Sequence, residues 1–251
     1  MGCQRADPPG DLALLAAGAE AVGLALDDAA LDRFRRYLAL LVEHGARMNL
    51  TSVRDTAGIQ RRHFVESLAF GAALRDAGLL QGRERVVDVG AGAGFPGVPL
   101  TIVWPRLRLT LLEATKKKAR FLEHVLHELA LPNAAVVAAR AEDAAHESRL
   151  RECFDLVLAR AVAPLPALAE LTLPFSRIGG RLATVKGSRL RHELAAAGAA
   201  IARCGGGAAR TLPLPGVGVE SPLRVIVVAK LRPTPAALPR RAGLPQSQPL
   251  R

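Results

Sequence analysis

The spacing of apolar residues divides the chain into a helical first third and an alternating remainder. Over residues 28–42 the apolar positions recur every three or four residues, at Leu31, Phe34, Leu38 and Leu41. This spacing predicts an amphipathic helix, and a further helix is predicted over roughly 56–73. We therefore expect residues 11–81 to form an N-terminal helical region.

After residue 82 the pattern changes to short runs rich in valine, leucine and isoleucine, separated by segments long enough for helices. The runs lie at 85–89, 107–112, 134–138, 154–159 and 181–185. This alternation is typical of a parallel sheet with helices on both faces. Two last runs, 209–214 and 223–230, leave no room for a helix between them and predict a hairpin with its turn at 216–222.

The two ends of the chain lack such patterning. Residues 1–10 are interpreted as a flexible leader, and 82–231 as one α/β domain. Residues 232–251 are rich in proline and arginine with few apolar positions. This composition predicts a disordered basic tail.

Composition adds a possible partner. At 251 residues, half of them hydrophobic, the chain can bury a sizeable core. Its formal net charge of +11 favours a polyanionic partner such as nucleic acid, although an arginine-rich genome would produce the same excess. One Trp and one Tyr make a large base-stacking surface improbable.

Cysteine usage and hydropathy indicate the compartment. The three cysteines, Cys3, Cys153 and Cys204, are scattered and form no pair with metal-ligand spacing. We therefore expect no metal site. A sparse, odd cysteine count and the lack of a long uncharged apolar run favour a cytoplasmic protein without a membrane segment.

The most informative segment is 86–97, where an apolar run containing Asp88 leads into glycines at every second or third position. A strand entering such a turn lets the backbone approach a bound nucleotide closely. About two dozen residues on, a second apolar run ends in Glu113, an acid placed to take the hydroxyls of a ribose. The two features predict a nucleoside-cofactor site.

Two cofactor classes fit this site. Residues 92–97 satisfy G-x-G-x-x-G, so an NAD(P)-dependent oxidoreductase is one hypothesis. Asp88 would face an anionic pyrophosphate, however, whereas the sulfonium and ammonium of S-adenosylmethionine favour a nearby carboxylate. Pro96 stiffens the turn, and a C-terminal hairpin after five alternating strands is typical of methyltransferases. These features favour S-adenosylmethionine.

Several motifs, in order along residues 30–230, resemble one family, the bacterial small-subunit ribosomal RNA guanine-N7 methyltransferases, also called glucose-inhibited division protein B. They are NLTSVRD at 49–55, RHFVESL at 62–68, DVGAGAGFPGVP at 88–99, EATKKKARFL at 113–122, RAE at 140–142, DLVLARAVA at 155–163 and KG at 186–187. The resemblance implies a Rossmann-like class I methyltransferase domain. Its seven-stranded, mostly parallel sheet has an antiparallel last strand, and a helical extension precedes it.

The same resemblance implies the reaction and its partner. The family methylates N7 of a guanine in the decoding region of 16S ribosomal RNA, so the partner is that RNA or the small subunit. Guanine N7 carries a lone pair and needs no activating base. A non-catalytic RNA-binding protein with a decayed methyltransferase fold is a third hypothesis, and we expect a monomer.

Candidate cofactor residues come from the residue pattern and from the family resemblance. The residue pattern indicates Asp88, Gly92 and Glu113, and the resemblance adds Gly90, Phe95, Ala141, Glu142 and Arg160. Arg160 ends a predicted strand, at the sheet edge where ligands bind. It is the candidate catalytic residue, with the cofactor carboxylate, a target phosphate or the guanine carbonyl as possible partners.

Candidate RNA contacts are Asn49, Arg62, His63, Lys116, Lys117 and Lys186. Lys116 and Lys117 begin a predicted helix. A solvated helix face is the usual explanation of such a run, but cations are mildly unfavourable at a helix N-terminus, and this cost favours a contact with RNA phosphate. His63 fits a structural role as well as a substrate contact. Glu66 stands where the family typically has aspartate and is left out of the predicted site.

Overall fold

The computed structural model describes residues 11–215 and 223–250, except for the side chains of 46 and 47. The predicted leader 1–10 and the predicted hairpin turn at 216–222 therefore lie outside the described residues. Within the described part of the chain, no helix is both long and apolar enough to cross a membrane.

The N-terminal region is helical, as the spacing predicts. Its elements are α1 (Ala13–Ala21), α2 (Asp28–Met48), α3 (Thr56–Ile59), a π-helical turn (Gln60–Val65) and α4 (Glu66–Asp76). Helix α2 begins where Asp27 accepts a hydrogen bond from the Ala30 backbone N–H at 2.7 Å. It continues six residues beyond the predicted end, to Met48.

The rest of the described chain alternates strands and helices around one sheet. The strands are β1 (Arg85–Val89), β2 (Arg108–Leu112), β3 (Ala134–Val137), β4 (Phe154–Ala159), β5 (Ser176–Lys186), β6 (Gly206–Pro213) and β7 (Arg224–Lys230). The helices are α5 (Gly97–Val103), α6 (Lys116–Glu128), α7 (Ala141–Ala144), α8 (Leu165–Thr172), α9 (Leu190–Arg203) and α10 (Leu244–Ser247).

Over the described ranges the seven strands lie in the order β3-β2-β1-β4-β5-β7-β6. Strands β1 to β5 pair in parallel, and β7 is antiparallel to both β5 and β6. The predicted sheet and C-terminal hairpin are confirmed. Strand order reverses between β1 and β4, the position where open α/β sheets bind ligands.

Two apolar cores cover the two faces of the sheet. On one face the N-terminal helices and α6 pack against β1 and β2. The N-terminal helices contribute the aromatic cluster of Phe34, Tyr37 and Phe64 to this core. On the other face α8 and α9 pack against β4, β5 and β7. Alternation along β1 explains the division, because Val86 belongs to the first core and Val87 to the second.

The prediction of a disordered tail is wrong for residues 232–250. This segment, here called the C-terminal segment, follows β7 and buries Leu238 and Leu250 in the second core. The Arg151 guanidinium donates to backbone carbonyls of Thr234, Pro235 and Leu238 at 2.8–3.0 Å. Because these partners lie more than 80 residues from Arg151, local composition does not reveal them.

Candidate active site

The turn after β1 requires glycine. Gly90, Gly92 and Gly94 all have positive φ angles, a region that other residues rarely adopt. A Cβ on Gly94 would lie 2.6 Å from the Tyr37 hydroxyl oxygen, so the N-terminal helices press directly on the turn. The Tyr37 hydroxyl also donates to the Ala93 carbonyl at 2.6 Å.

Asp88 lies beneath this turn and is fully buried. One carboxylate oxygen, Oδ2, accepts from the Gly97 N–H at 2.8 Å, and Oδ1 has no partner among the described residues. Burial raises the pKa of Asp88 to about 7. The structure therefore places Asp88 where it supports the start of α5 through Gly97, and its contact with the cofactor stays a prediction.

Glu113 connects the tip of β2 to the glycine turn. Its Oε2 accepts from the Gly92 N–H at 3.0 Å, and its Oε1 accepts from the Thr115 N–H at 2.8 Å. Each carboxylate oxygen can accept a second hydrogen bond. The predicted pair of Gly92 and Glu113 is thus brought together at the carboxyl edge of the sheet.

A cavity opens at this edge beside the turn. It is lined by Val89, Gly90, Leu112, Ala114, Ala139, Arg140, Ala141, Glu142, Val162, Leu171 and Gln246. The predicted cofactor residues Gly90, Ala141 and Glu142 are among them. The Glu142 carboxylate is already engaged, since its Oε1 accepts from the Gly243 N–H at 2.9 Å and from Arg140 at 3.2 Å.

Arg160 follows β4 and is held by the N-terminal helices. Its guanidinium donates to the Arg62 carbonyl at 3.1 Å, to Glu66 Oε2 at 3.0 Å and to His63 Nδ1 at 3.0 Å. It also lies 5.3 Å from the centroid of the Phe95 ring. The π-helical turn, a form found often at functional sites, supplies two of these acceptors.

His63 is fixed on both sides. Its ring stacks on Phe95 with centroids 4.6 Å apart, and its Nε2 lies 2.6 Å from the Thr51 hydroxyl. Burial and the adjacent Arg160 lower the pKa of His63 to about 4. The imidazole is therefore neutral at pH 7, with Nδ1 accepting from Arg160 and the proton on Nε2.

Sequence reasoning missed three residues of this site. Glu66 replaces the aspartate that is typical of the family and is therefore not among the predicted site residues, yet it forms the ion pair with Arg160. Thr51 lies in the 49–55 motif but is not among the predicted site residues, and Tyr37 lies in none of the quoted motifs. The motifs at 49–55 and 62–68 were a usable signal. Both precede the α/β domain yet belong to the family resemblance, which indicates that the N-terminal helices contribute to the site.

The predicted RNA contacts separate into groups. Asn49, Arg62, Lys116 and Lys117 are exposed, Arg62 beside the Arg160 cluster and the two lysines at the start of α6. Lys186 is instead engaged within the protein: its ammonium donates to the Ala163 carbonyl and pairs with Glu193, both within 2.8 Å. The prediction that Lys186 contacts RNA does not match this placement, which holds the loop after β4.

No group of three or more His, Cys, Asp or Glu side chains that could hold a metal ion occurs within the described ranges.

The sheet order and the glycine turn above β1 define a Rossmann-like fold of the class I methyltransferase type. The chain belongs to the GidB family, described as rRNA small subunit methyltransferase G, whose family model matches residues 30–212. The prediction of this family from the sequence motifs is confirmed.

Two relatives illustrate the match, and both are named ribosomal RNA small subunit methyltransferase G. The protein of Dehalococcoides mccartyi strain BAV1 is 40% identical over 233 residues, which cover 93% of this chain and 97% of the relative. That of Roseiflexus castenholzii is 44% identical over 229 residues, which cover 91% and 95%.

Among solved structures, the fold is similar to that of MtNAS in complex with MTA and tNA. The TM-score is 0.54 at 15% sequence identity, over 81% of this chain and 76% of that chain.

Proposed function

We propose that this protein is an S-adenosylmethionine-dependent methyltransferase that methylates N7 of a guanine in small-subunit ribosomal RNA. The observation that carries the proposal is the meeting of the glycine turn, Glu113 and Arg160 at one sheet edge, in a chain of the GidB family. We further propose that it acts in the cytoplasm as a monomer, on the RNA or the small subunit.

The geometry fits S-adenosylmethionine better than a dinucleotide. Dinucleotide pyrophosphates bind the free N–H groups at the start of the helix after the turn. Here the N–H of Gly97, the first residue of α5, already donates to the Asp88 carboxylate. That position is closed to a phosphate, which opposes the oxidoreductase hypothesis.

The residues present would hold the cofactor as follows. Glu113 would take the ribose hydroxyls with its remaining acceptor capacity, and Gly90 and Gly92 would let the amino-acid part lie against the backbone. Leu112, Ala141 and Val162 line the cavity that would hold the base. When bound, S-adenosylmethionine supplies an electrophilic methyl group on its sulfonium.

The protein's own task is alignment and exclusion of water, since guanine N7 needs no general base. Such positioning can supply roughly 7–11 kcal/mol of the barrier. Arg160 is pre-organised for it: contacts with described residues use three of its five N–H groups, which leaves two for the guanine carbonyl or the cofactor carboxylate.

The charge of this cluster suits N7 methylation. A guanidinium alone would oppose the positive charge that forms on the methylated base. Glu66 pairs with Arg160 and His63 is neutral, so the formal charges of the three groups cancel. Arg160 can therefore donate hydrogen bonds while the paired Glu66 carboxylate offsets its charge.

RNA would approach over the exposed face of the N-terminal helices. Ser52, Arg54, Asp55, Arg61 and Arg62 line a shallow cavity there, next to the Arg160 cluster. Lys116 and Lys117 would extend this basic face toward the tip of β2. To reach the pocket, the guanine must leave its stack.

Calorimetric titration with S-adenosylhomocysteine, and separately with NADH, tests the cofactor. Binding of S-adenosylhomocysteine alone is expected, while binding of NADH alone would overturn the proposal. Gly92→Asp is the matched negative control, because Gly92 has a positive φ angle and donates its N–H to Glu113. This variant is expected to lose binding.

A further inference from the structure

The cofactor cavity has a wall outside the family-matched region. The family model ends at residue 212, yet Gln246, in α10 of the C-terminal segment, lines the cavity together with Ala141 and Glu142. Among the described residues of this segment, Gln246 alone lines the cavity. Its side chain is exposed rather than packed in a core, so its amide group is accessible to a molecule in the cavity.

The C-terminal segment is anchored on both sides of Gln246. Before it, the Arg240 guanidinium forms a two-pronged ion pair with the fully buried Glu170, with N–O distances of 2.7 and 2.9 Å. After it, the Gln248 carbonyl accepts from Arg240 at 2.7 Å. The position of Gln246 is thus defined by buried and charge-assisted contacts.

Two of these anchoring elements also form the cavity. Glu142 lines it and accepts from the Gly243 N–H, three residues before Gln246. Helix α8 carries Glu170, which holds Arg240, and Leu171, which lines the cavity. The segment is therefore built into the cavity wall at several points.

The position along the sheet edge indicates which part of a ligand lies there. The ribose acid Glu113 follows β2, and Arg160, where transfer is proposed to occur, follows β4, two strands away in the sheet. The reactive end of the cofactor therefore points toward β4. The base then lies on the side of the loop after β3, the loop that Ala139, Ala141 and Glu142 form.

We propose that Gln246 recognises the adenine base of the cofactor and makes the C-terminal segment part of the binding site. A glutamine amide carries both a donor and an acceptor, and it can pair with the amino group and a ring nitrogen of adenine. This inference rests on the proposed function, since it assumes that the cavity binds S-adenosylmethionine.

The test compares Gln246→Ala with Gln248→Ala, a control two residues away whose side chain does not line the cavity. Binding is measured by calorimetry with S-adenosylhomocysteine and with S-inosylhomocysteine, in which oxygen replaces the adenine amino group. Wild-type protein is expected to prefer the adenosine compound. Gln246→Ala should weaken its binding about fivefold and reduce the preference, as loss of one or two hydrogen bonds requires.

The outcomes separate the two proposals. If wild-type protein binds S-adenosylhomocysteine and Gln246→Ala keeps the wild-type affinity and preference, the role of Gln246 is overturned and the proposed function stands. An equal loss in Gln248→Ala also overturns the role of Gln246. If wild-type protein binds neither compound, the proposed function fails, and the role of Gln246 fails with it.

Discussion

Arg160 owes its position to acceptors that come from a different part of the chain. The Arg62 carbonyl, His63 Nδ1 and Glu66 Oε2 lie about a hundred residues earlier and fix its guanidinium above Phe95. A hydrogen-bond donor that is already held in place needs no reorganisation when charge develops in a reaction. We therefore propose that this cluster positions Arg160 for catalysis.

Arg160→Ala is expected to lower turnover roughly 100-fold, the effect of removing one positioned donor from a reaction centre. Arg160→Lys should recover little, because an ammonium lacks the planar fork of a guanidinium and has only three N–H groups, so bonds to the same three acceptors would leave none for a substrate. Steady-state methyl-transfer kinetics measure the effect. Arg177→Ala is the control, since Arg177 pairs with Asp155 at the other end of the sheet. Turnover unchanged in Arg160→Ala would reduce Arg160 to a structural residue.

The pH dependence of stability tests the state of His63. Its pKa is about 4 in the folded protein against 6.5 ordinarily, so between these values the unfolded chain binds more protons. Stability attributable to His63 is thus present above 6.5 and is lost as the pH falls. Relative to His63→Gln, wild-type protein should lose about 2 kcal/mol between about pH 7 and about pH 5 in urea unfolding. A constant difference would show that His63 is not buried as a neutral ring.

Among the elements of the fold, two regions of the chain meet at the site. The glycine turn after β1 belongs to the α/β domain, while the π-helical turn belongs to the N-terminal helices. Tyr37 connects them, because its hydroxyl binds the Ala93 carbonyl and its ring lies beside Phe64 and Phe95. The N-terminal region therefore helps to shape the cofactor site.

Gly94→Ala tests this junction. The new Cβ would lie 2.6 Å from the Tyr37 hydroxyl at a φ of 105°, so we expect a loss of about 2 kcal/mol in stability. Weaker binding of S-adenosylhomocysteine should accompany it. Gly45→Ala is the matched control: its Cβ would contact nothing within 4 Å in α2, and helix propensity predicts a gain of about 0.5–1 kcal/mol. Equal stability of the two variants would contradict the packing described.

The elements were largely predictable from sequence, and the contacts between them were not. Apolar periodicity located the strands within one or two residues for β1 to β4, because each is a short run bounded by polar positions. It began β5 five residues late, at 181 instead of Ser176, since Arg177, Gly179 and Gly180 interrupt the run. The partners of Arg160 and Arg151 lie some 80 to 100 residues away, beyond the reach of local pattern.

In the whole molecule, the C-terminal segment packs back against the α/β domain. This segment joins α8, α7 and the loop after α7 by polar contacts, among them Arg240 with Glu170 and His146 with the Pro239 carbonyl. Its composition resembles that of a disordered tail because charged and backbone groups, rather than an apolar stripe, supply most of its contacts. The C-terminal segment thereby contributes Gln246 to the wall of the cavity beside the glycine turn.

Arg240→Ala tests this closure. Loss of the guanidinium leaves the fully buried Glu170 carboxylate without its charged partner, which is expected to cost about 3 kcal/mol. Urea unfolding measures the loss, and hydrogen exchange should show faster exchange at the Gly243 amide. The exposed neighbour Arg241→Ala is the control. Equal stability of the two variants would show that the ion pair does not hold the segment.

Methyl transfer to small-subunit ribosomal RNA is measured directly with labelled S-adenosylmethionine and unmodified RNA, naked or in small subunits. Borohydride and aniline cleave RNA at N7-methylguanine and so locate the product. We expect label at one guanine and a cleavage at that guanine, both formed far more slowly by Arg160→Ala. No transfer to either substrate, from protein that binds S-adenosylhomocysteine, would contradict it and favour a non-catalytic RNA-binding protein.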